Sequence, residues 1–148
     1  MEDDDKALFA VFNEIGIINQ LGSTLFQARL PDGLHISHFS VLNHLVRMGD
    51  ARTPLSIAQA FQVPKTTMTH TLAVLEKRRF IAISPNPKDG RSKVVMLTEA
   101  GRKMREDSIA AMIGPLHRIA EGLGQETVVD LLPRLQRMRK FLDDNREM

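Results

Sequence analysis

Residues 81–101 read IAISPNPKDGRSKVVMLTEAG, and this stretch decides the fold of the chain. Two runs of β-prone residues, Ile81–Ser84 and Lys93–Leu97, flank a segment rich in proline, glycine and charge, which is typical of a β-hairpin with a long tip. The tip carries three charged residues, with a fourth just behind it: Lys88, Asp89, Arg91 and Lys93. Because a helix start at Thr98 follows the second strand at once, the hairpin is predicted to lead directly into a helix.

Residues 55–79, immediately upstream of the hairpin, predict two helices joined by a short turn. The first helix, 55–61, places Ile57, Ala58 and Phe61 inward. Pro64 in the turn suits the first position of the second helix, because its missing N–H costs nothing there. A helix-turn-helix followed by a basic hairpin is a winged helix-turn-helix, which is a DNA-binding module.

The second of these helices, 65–79, separates apolar from polar residues. Met68, Leu72 and Leu75 share one face, which we expect to be buried. The other faces of its first turns carry five polar residues: Lys65, Thr66, Thr67, Thr69 and His70. In a helix-turn-helix, the N-terminal positions of the second helix meet base edges in the major groove. We therefore predict that these five residues bind DNA.

Four further helices complete the predicted fold, which is mostly α with a small β-hairpin wing. The first covers about 5–30 and is broken by Pro31-Asp32-Gly33. The second starts with Ser37 as its N-cap and closes at Gly49-Asp50. A long helix, 98–121, contains Pro115, so we expect a kink or a break near Gly114. The last helix covers about 125–144.

The two ends of the chain carry more apolar surface than a small monomer readily buries. This pattern predicts a homodimer in which the terminal helices of two chains interleave. We expect residues 1–34 and 102–148 to form a helical dimerisation lobe and residues 35–101 to form the winged helix-turn-helix. The alternative is that the terminal helices pack only within one chain.

Charge is distributed unevenly along the chain, although the formal net charge is only +2. Residues 1–20 have a net charge of −4, from five acidic residues against one lysine. Residues 64–105 have a net charge of +7, from ten basic residues against three acidic ones. The basic charge therefore coincides with the predicted helix-turn-helix and hairpin, where it would steer the module toward a phosphate backbone.

Composition excludes several classes of protein. The chain has no cysteine, so it has no disulfide, no thiolate zinc site and no cysteine redox centre. No apolar stretch approaches the roughly 20 residues of a membrane span. The acidic start is unlike a secretory signal, and a soluble cytoplasmic protein is expected. No nucleophile motif, glycine-rich phosphate loop or paired carboxylate is present, so we expect neither an enzyme nor a cofactor.

His35 and His38 have a spacing that could begin a metal site, and a metal-responsive regulator is one hypothesis. The only acidic residue close in sequence is Asp32. Two histidines near a helix start more often cap the helix or face solvent, so we predict no metal ligand here.

The residues at the centre of the chain resemble the MarR family of transcriptional regulators. Pro87-Lys88-Asp89-Gly90-Arg91-Ser92, followed by Val94, Leu97-Thr98 and Gly101, is similar to the wing of that family. Val63–Thr69 and Leu75-Glu76-Lys77 resemble its recognition helix. The resemblance implies a homodimeric, mostly helical regulator in which each winged helix-turn-helix contacts one half-site of a pseudo-palindromic operator.

The resemblance also implies roles for the charged residues of the wing. Arg91 matches the arginine that enters the minor groove, where a guanidinium suits the negative potential. Asp89 matches the acidic residue that pairs with this arginine and orients it. Lys88 and Lys93 are better interpreted as phosphate contacts than as base readers. The alternative for Asp89 and Arg91 is an ordinary salt bridge within a turn.

Three residues depart from the family pattern. His70 stands where the family often has arginine, so base preference at that position is open. Arg79 stands where a glycine usually ends the helix; a non-glycine residue is strained in a left-handed cap, so we expect this helix to end differently. Ser84 replaces a usual arginine on the first wing strand, which removes one phosphate contact.

The resemblance implies regulation by a small ligand, and one alternative function of a different class competes with it. Many relatives bind small aromatic or phenolic anions between the dimer lobe and the DNA-binding lobe, which implies a repressor released by such an effector. The competing hypothesis is a protein-interaction module in which the winged helix serves as an assembly surface. The high positive charge of the hairpin region argues against that alternative.

Overall fold

The computed structural model describes residues 2–49 and 51–148 and has the predicted fold class, mostly α with one two-stranded antiparallel sheet. Asp50, which we predicted to help close the second helix, lies outside the described residues. Within the described ranges the elements follow in this order: α1 Asp3–Gln27, a 3₁₀ turn Pro31–Gly33, α2 Ile36–Met48, α3 Pro54–Phe61, α4 Lys65–Lys77, β1 Ile81–Asn86, β2 Asp89–Leu97, α5 Glu99–Leu123 and α6 Gln125–Asp144.

The chain divides into two compact units, Met1–Ala111 and Met112–Met148. The hydrophobic core of the first unit brings together α2, α3, α4 and the base of the hairpin. Its fully buried side chains include Leu42, Leu45, Ile57, Leu72, Leu75, Ile81 and Val95. Burying each such side chain stabilises the fold by roughly 1.5–3 kcal/mol. The inner faces predicted for α3 and α4 are confirmed. Ile57, Ala58, Met68, Leu72 and Leu75 all belong to this core, and Phe61 is partly buried against it.

The second unit, Met112–Met148, contains the end of α5 and all of α6. Almost every side chain of α6 is exposed, including Val129, Leu132 and Phe141. We predicted a kink or a break near Gly114, but α5 continues from Glu99 to Leu123 with Pro115 inside it. No break occurs, because one proline removes a single hydrogen bond while the turns on either side keep theirs.

Helix α2 begins two residues before the predicted start, and its N-cap is His35 rather than Ser37. The Ser37 backbone N–H donates to His35 Nδ1 at 3.2 Å, and the His35 N–H donates to His38 Nδ1 at 3.3 Å. Two imidazoles therefore form a reciprocal capping box, in the positions where serine and glutamate usually stand. In the same way, Pro64 is the N-cap of α4 rather than its first helical residue.

Helix α4 ends in a left-handed cap although Arg79 replaces the usual glycine, so the expectation of a different ending was wrong. Arg79 has a φ of 61°. Its N–H donates to the Glu76 carbonyl at 2.8 Å, and the Phe80 N–H donates to the Leu75 carbonyl at 3.0 Å, as in a Schellman motif. These two bonds hold the arginine in a conformation that costs roughly 1–2 kcal/mol.

The start of α5 is held tightly against the end of α4. Thr98 Oγ1 accepts from the Gly101 N–H at 3.0 Å and donates to the Arg79 carbonyl at 2.7 Å. A Cβ atom on Gly101 would lie 2.0 Å from the Phe80 carbonyl oxygen, so only glycine allows this approach. This contact gives a steric reason for the glycine that follows the wing.

Candidate nucleic-acid interface

Helix α4 is oriented by its buried face. Met68, Leu72 and Leu75 anchor it in the core, with at most 4% of each side chain exposed. Its opposite faces are therefore turned to solvent, and all five predicted DNA-binding residues of this helix are exposed: Lys65, Thr66, Thr67, Thr69 and His70. The separation of faces is what a recognition helix requires, because base edges are reached only by side chains that project from the surface.

The hydroxyl of Thr69 has its proton already engaged. Thr69 Oγ1 donates to the Lys65 carbonyl one turn earlier, at 2.9 Å. The oxygen lone pairs stay available, so Thr69 can accept from the amino group of adenine or cytosine, and its methyl can contact thymine. Thr71 makes the equivalent bond to the Thr67 carbonyl at 3.2 Å.

The hairpin after α4 has a regular base and an irregular tip. β1 and β2 pair from Ile81↔Leu97 to Pro85↔Lys93, after which the register jumps to Asn86↔Asp89. The predicted strands are confirmed and extend further toward the tip, which turns at residues 87 and 88. The register jump leaves Gly90, Arg91 and Ser92 as extra residues on the second strand. The long predicted tip is thus a tight turn followed by a bulge.

The bulge displays Arg91, whose side chain is 96% exposed. Its Nε lies 3.6 Å from Asp89 Oδ1, which is an ion pair without a close hydrogen bond. The same oxygen accepts from the Arg91 backbone N–H at 3.1 Å. Because exposed ion pairs contribute little, Asp89 acts mainly by fixing the backbone from which Arg91 projects.

A cleft of about 640 Å³ lies between the start of α3, one face of α4 and the wing. Lys65 and Thr69 line it from α4, and Arg91, Ser92 and Lys93 line it from the wing. Leu55, Leu72 and Ile83 provide apolar lining. Three exposed cations against one carboxylate, that of Glu76, leave the lining of this cleft with a net positive charge, which favours a polyanion.

The structure thus brings four of the nine predicted site residues into one cleft, namely Lys65, Thr69, Arg91 and Lys93. Thr66, Thr67 and His70 are exposed on α4, and Lys88 and Asp89 are exposed at the wing tip. Two residues of the site were missed. Thr53 lines the cleft and caps α3, where its Oγ1 accepts from the Ser56 N–H at 3.1 Å; a threonine directly before a proline was the available signal. Asn86 is the other missed residue. Its side chain bonds to the Lys88 N–H and to Ser92 Oγ at the wing tip, and the composition of this segment gave no signal for that role.

His35 and His38 lie at the start of α2. In the described ranges, no three histidine, aspartate or glutamate residues are grouped so as to hold a metal ion. Burial lowers the pKa of His38, and the neighbouring charges of His35, Arg78 and His70 lower it further. Both His35 and His38 use Nδ1 to accept backbone hydrogen bonds, as described above.

No helix in the described part of the chain is long and apolar enough to span a membrane. A model of the MarR family matches residues 32–92, which include α2, α3, α4 and the wing tip. Over 150 residues the chain is 23% identical to the transcriptional activatory protein BadR of Rhodopseudomonas palustris, covering 100% of this chain and 83% of BadR.

Solved structures have the same fold. A cysteine-to-serine mutant of MarR from E. coli, in complex with operator DNA, is 23% identical and matches with a TM-score of 0.74 over 93% of this chain and 99% of MarR. BpsR of Bordetella bronchiseptica, solved to explain how 6-hydroxynicotinic acid regulates its DNA binding, is 25% identical and matches with a TM-score of 0.73 over 88% of this chain and 98% of BpsR. The winged helix-turn-helix of this chain therefore matches the MarR family of DNA-binding transcriptional regulators, and the fold around it is that of solved MarR-type regulators.

Proposed function

We propose that this regulator binds a pseudo-palindromic operator as a homodimer, represses transcription there, and is released by a small aromatic or anionic ligand. Residues 35–101 would contact one half-site, and residues 1–34 and 102–148 would form the dimerisation lobe. The observation that carries the proposal is the cleft in which a recognition helix and a wing jointly present Lys65, Thr69, Arg91 and Lys93. An enzyme would need a reacting centre, and the chemistry of this cleft suits a phosphate backbone instead.

Each predicted DNA contact has a role that follows from its position. Thr66, Thr67, Thr69 and His70 would meet base edges in the major groove, with Lys65 at the start of the helix on a phosphate. Arg91 would enter the adjacent minor groove from the wing bulge, held by Asp89. Lys88 and Lys93, on either side of that bulge, would contact the sugar-phosphate backbone.

The homodimer is supported by apolar surface on α1. None of the 25 residues of α1, all of them described, is buried. Phe9 and Leu21 are each 68% exposed, and Ile18 is 61% exposed. Apolar surface of this extent on one helix is typical of an interface. A two-fold dimer formed there would carry two recognition helices to two half-sites.

The proposed ligand and direction of regulation rest on relatives. BpsR supports control by a small aromatic anion, since its DNA binding is regulated by 6-hydroxynicotinic acid. BadR is named an activator, which opposes repression, so a promoter fusion must test the direction. A DNA-binding regulator acts where its operator lies, which supports the expected cytoplasmic location.

Selection of bound sequences from a random duplex pool tests the proposal directly. We expect enrichment of an inverted repeat whose half-sites lie about one helical turn apart, because two recognition helices of a dimer must enter successive major grooves. Recovery of no preferred sequence would contradict the proposal.

Salt dependence separates DNA binding from the protein-interaction alternative. Neutralised phosphates release counterions, so operator affinity must fall steeply as salt rises. Partner binding that does not change with salt, together with no selected sequence, would favour the assembly surface.

A further inference from the structure

We propose that Asn86 is a positioning residue for Arg91, which fixes the wing tip without touching DNA itself. Asn86 lies at the point where the register of the hairpin jumps, and it is half-buried while the tip beyond it is exposed. The part of this inference that concerns operator binding rests on the proposed function.

Asn86 connects both sides of the tip through its amide. Its Oδ1 accepts from the Lys88 N–H at 3.0 Å, which closes the two-residue turn. Its Nδ2 donates to Ser92 Oγ at 2.9 Å, across the hairpin. One side chain therefore holds the strand before the turn to the far end of the bulge after it.

The connection continues from Ser92 to Arg91. Ser92 Oγ donates to the Asp89 carbonyl at 3.3 Å, and Asp89 Oδ1 accepts from the Arg91 N–H at 3.1 Å. Three polar side chains, Asn86, Asp89 and Ser92, thus span the residues that the strand register leaves unpaired. Asn86 is the member that joins the turn to the second strand, because its Oδ1 accepts within the turn and its Nδ2 donates across the hairpin.

This network matters because an arginine binds the minor groove well only when its backbone is already placed. Within the part of the chain that the structure describes, the Arg91 side chain makes no close hydrogen bond, and its ion pair to Asp89 is exposed. If the bulge were mobile, its ordering would have to occur on binding and would weaken the complex. Asn86 would remove that cost in the free protein.

The test uses the full chain and compares Asn86→Ala with Ser84→Ala, an exposed residue on the same strand. The free protein is examined first by amide hydrogen exchange. We expect the backbone amides of Lys88 and Arg91 to exchange about tenfold faster in Asn86→Ala, because loss of the Asn86 hydrogen bonds lets the turn and the bulge open more often. Ser92→Ala should increase the exchange at Arg91, and Ser84→Ala should change neither amide.

Operator binding then separates positioning from a general structural role. Asn86→Ala should weaken binding to the selected operator about three- to tenfold, as expected for one or two lost hydrogen bonds. Arg91→Ala should reduce operator affinity by a smaller factor in the Asn86→Ala protein than in the wild type, because a misplaced arginine contributes less to binding. The thermal midpoint should stay close to that of Ser84→Ala.

Unchanged exchange at Lys88 and Arg91 in Asn86→Ala would overturn the network itself. Unchanged operator affinity, or fully additive effects of Asn86→Ala and Arg91→Ala, would overturn the positioning role. A wild-type protein that selects no operator would instead contradict the proposed function, while the exchange measurement would still decide whether Asn86 orders the tip.

Discussion

Helices α4 and α1 are both amphipathic, yet they satisfy their apolar residues in opposite ways. α4 buries Met68, Leu72 and Leu75 in the hydrophobic core of the same chain. α1 is about twice as long and buries none of its described residues. The difference teaches that the winged module buries its apolar residues within one chain, whereas α1 leaves them exposed, as expected for the homodimer interface proposed above. Substitutions in the first should therefore affect folding, and substitutions in the second should affect assembly.

The largest expected effect tests the packing of the winged module. Gly101→Ala places a Cβ 2.0 Å from the Phe80 carbonyl oxygen, so backbone atoms must shift. We expect the free energy of unfolding to fall by roughly 2–4 kcal/mol, as for a severe overpacking substitution. Urea denaturation measures this change. The matched control is Gly122→Ala, later in the same helix, which has nothing within 4 Å of the added atom.

If Gly101→Ala is as stable as the wild type, the close approach of α5 to Phe80 is not a constraint, and the winged module is looser than described. Gly122→Ala should be neutral or more stable by up to about 1 kcal/mol, because alanine is the better helix former.

The second prediction tests the proposed interface on α1. Phe9→Glu removes an aromatic side chain that is 68% exposed in the single chain and adds a charge. We expect the dissociation constant of the proposed homodimer to rise by about a hundredfold, as for loss of an interface hot spot, with the circular dichroism spectrum unchanged. Analytical ultracentrifugation measures the dissociation. Asn13→Asp adds the same charge at a polar position of α1 and should leave the dimer nearly intact.

An unaltered dimer in Phe9→Glu would show that α1 is not the interface, and the contrast with α4 would then need another explanation. A protein that loses its helical signal would show instead that α1 folds against its own chain.

The smallest expected effect concerns the start of α2, which lies between α1 and α4 in the sequence. The folded-state pKa of His38 is below its ordinary value of 6.5, because burial and nearby positive charges oppose protonation. The unfolded chain therefore binds more protons as pH falls through about 6.5, so the stabilisation is fully present above that pH and is lost below it. An imidazolium also cannot accept at Nδ1, so protonation breaks the cap.

We expect the thermal midpoint to fall between pH 7 and pH 5.5, and the fall to be smaller in the double variant His35→Ser, His38→Gln, which keeps a capping box without titrating groups. Thermal unfolding followed at several pH values tests this prediction. Equal pH dependence in the two proteins would assign the effect to other groups.

The sequence predicted the elements of this fold well, because their signals are local. The face of α4 and the base of the hairpin follow directly from the spacing of residues such as Leu72 and Leu75 and from the β-prone runs. Of the kink or break expected near Gly114, the break does not occur, since helix continuity depends on the turns around a proline as well as on the proline itself.

The site was less predictable, because its geometry depends on contacts across the chain. Imidazoles are uncommon N-caps, so Ser37 was preferred over His35. The role of Asn86 depends on a register jump that composition does not reveal. The position of Arg79 depends on Phe80 and Thr98, which fix the end of α4 from outside it. The nine predicted DNA contacts stay predictions.

Phe80 sits at the point where three elements meet. Its N–H bonds to the Leu75 carbonyl in α4, and its carbonyl accepts from the Thr98 N–H at the end of the wing. The same carbonyl lies against Gly101 at the start of α5. The backbone of one residue therefore connects α4, the wing and α5. On the proposed DNA contacts, a displacement of α5 would then act on the helix and the wing through the same residue, and operator contacts of both would change together.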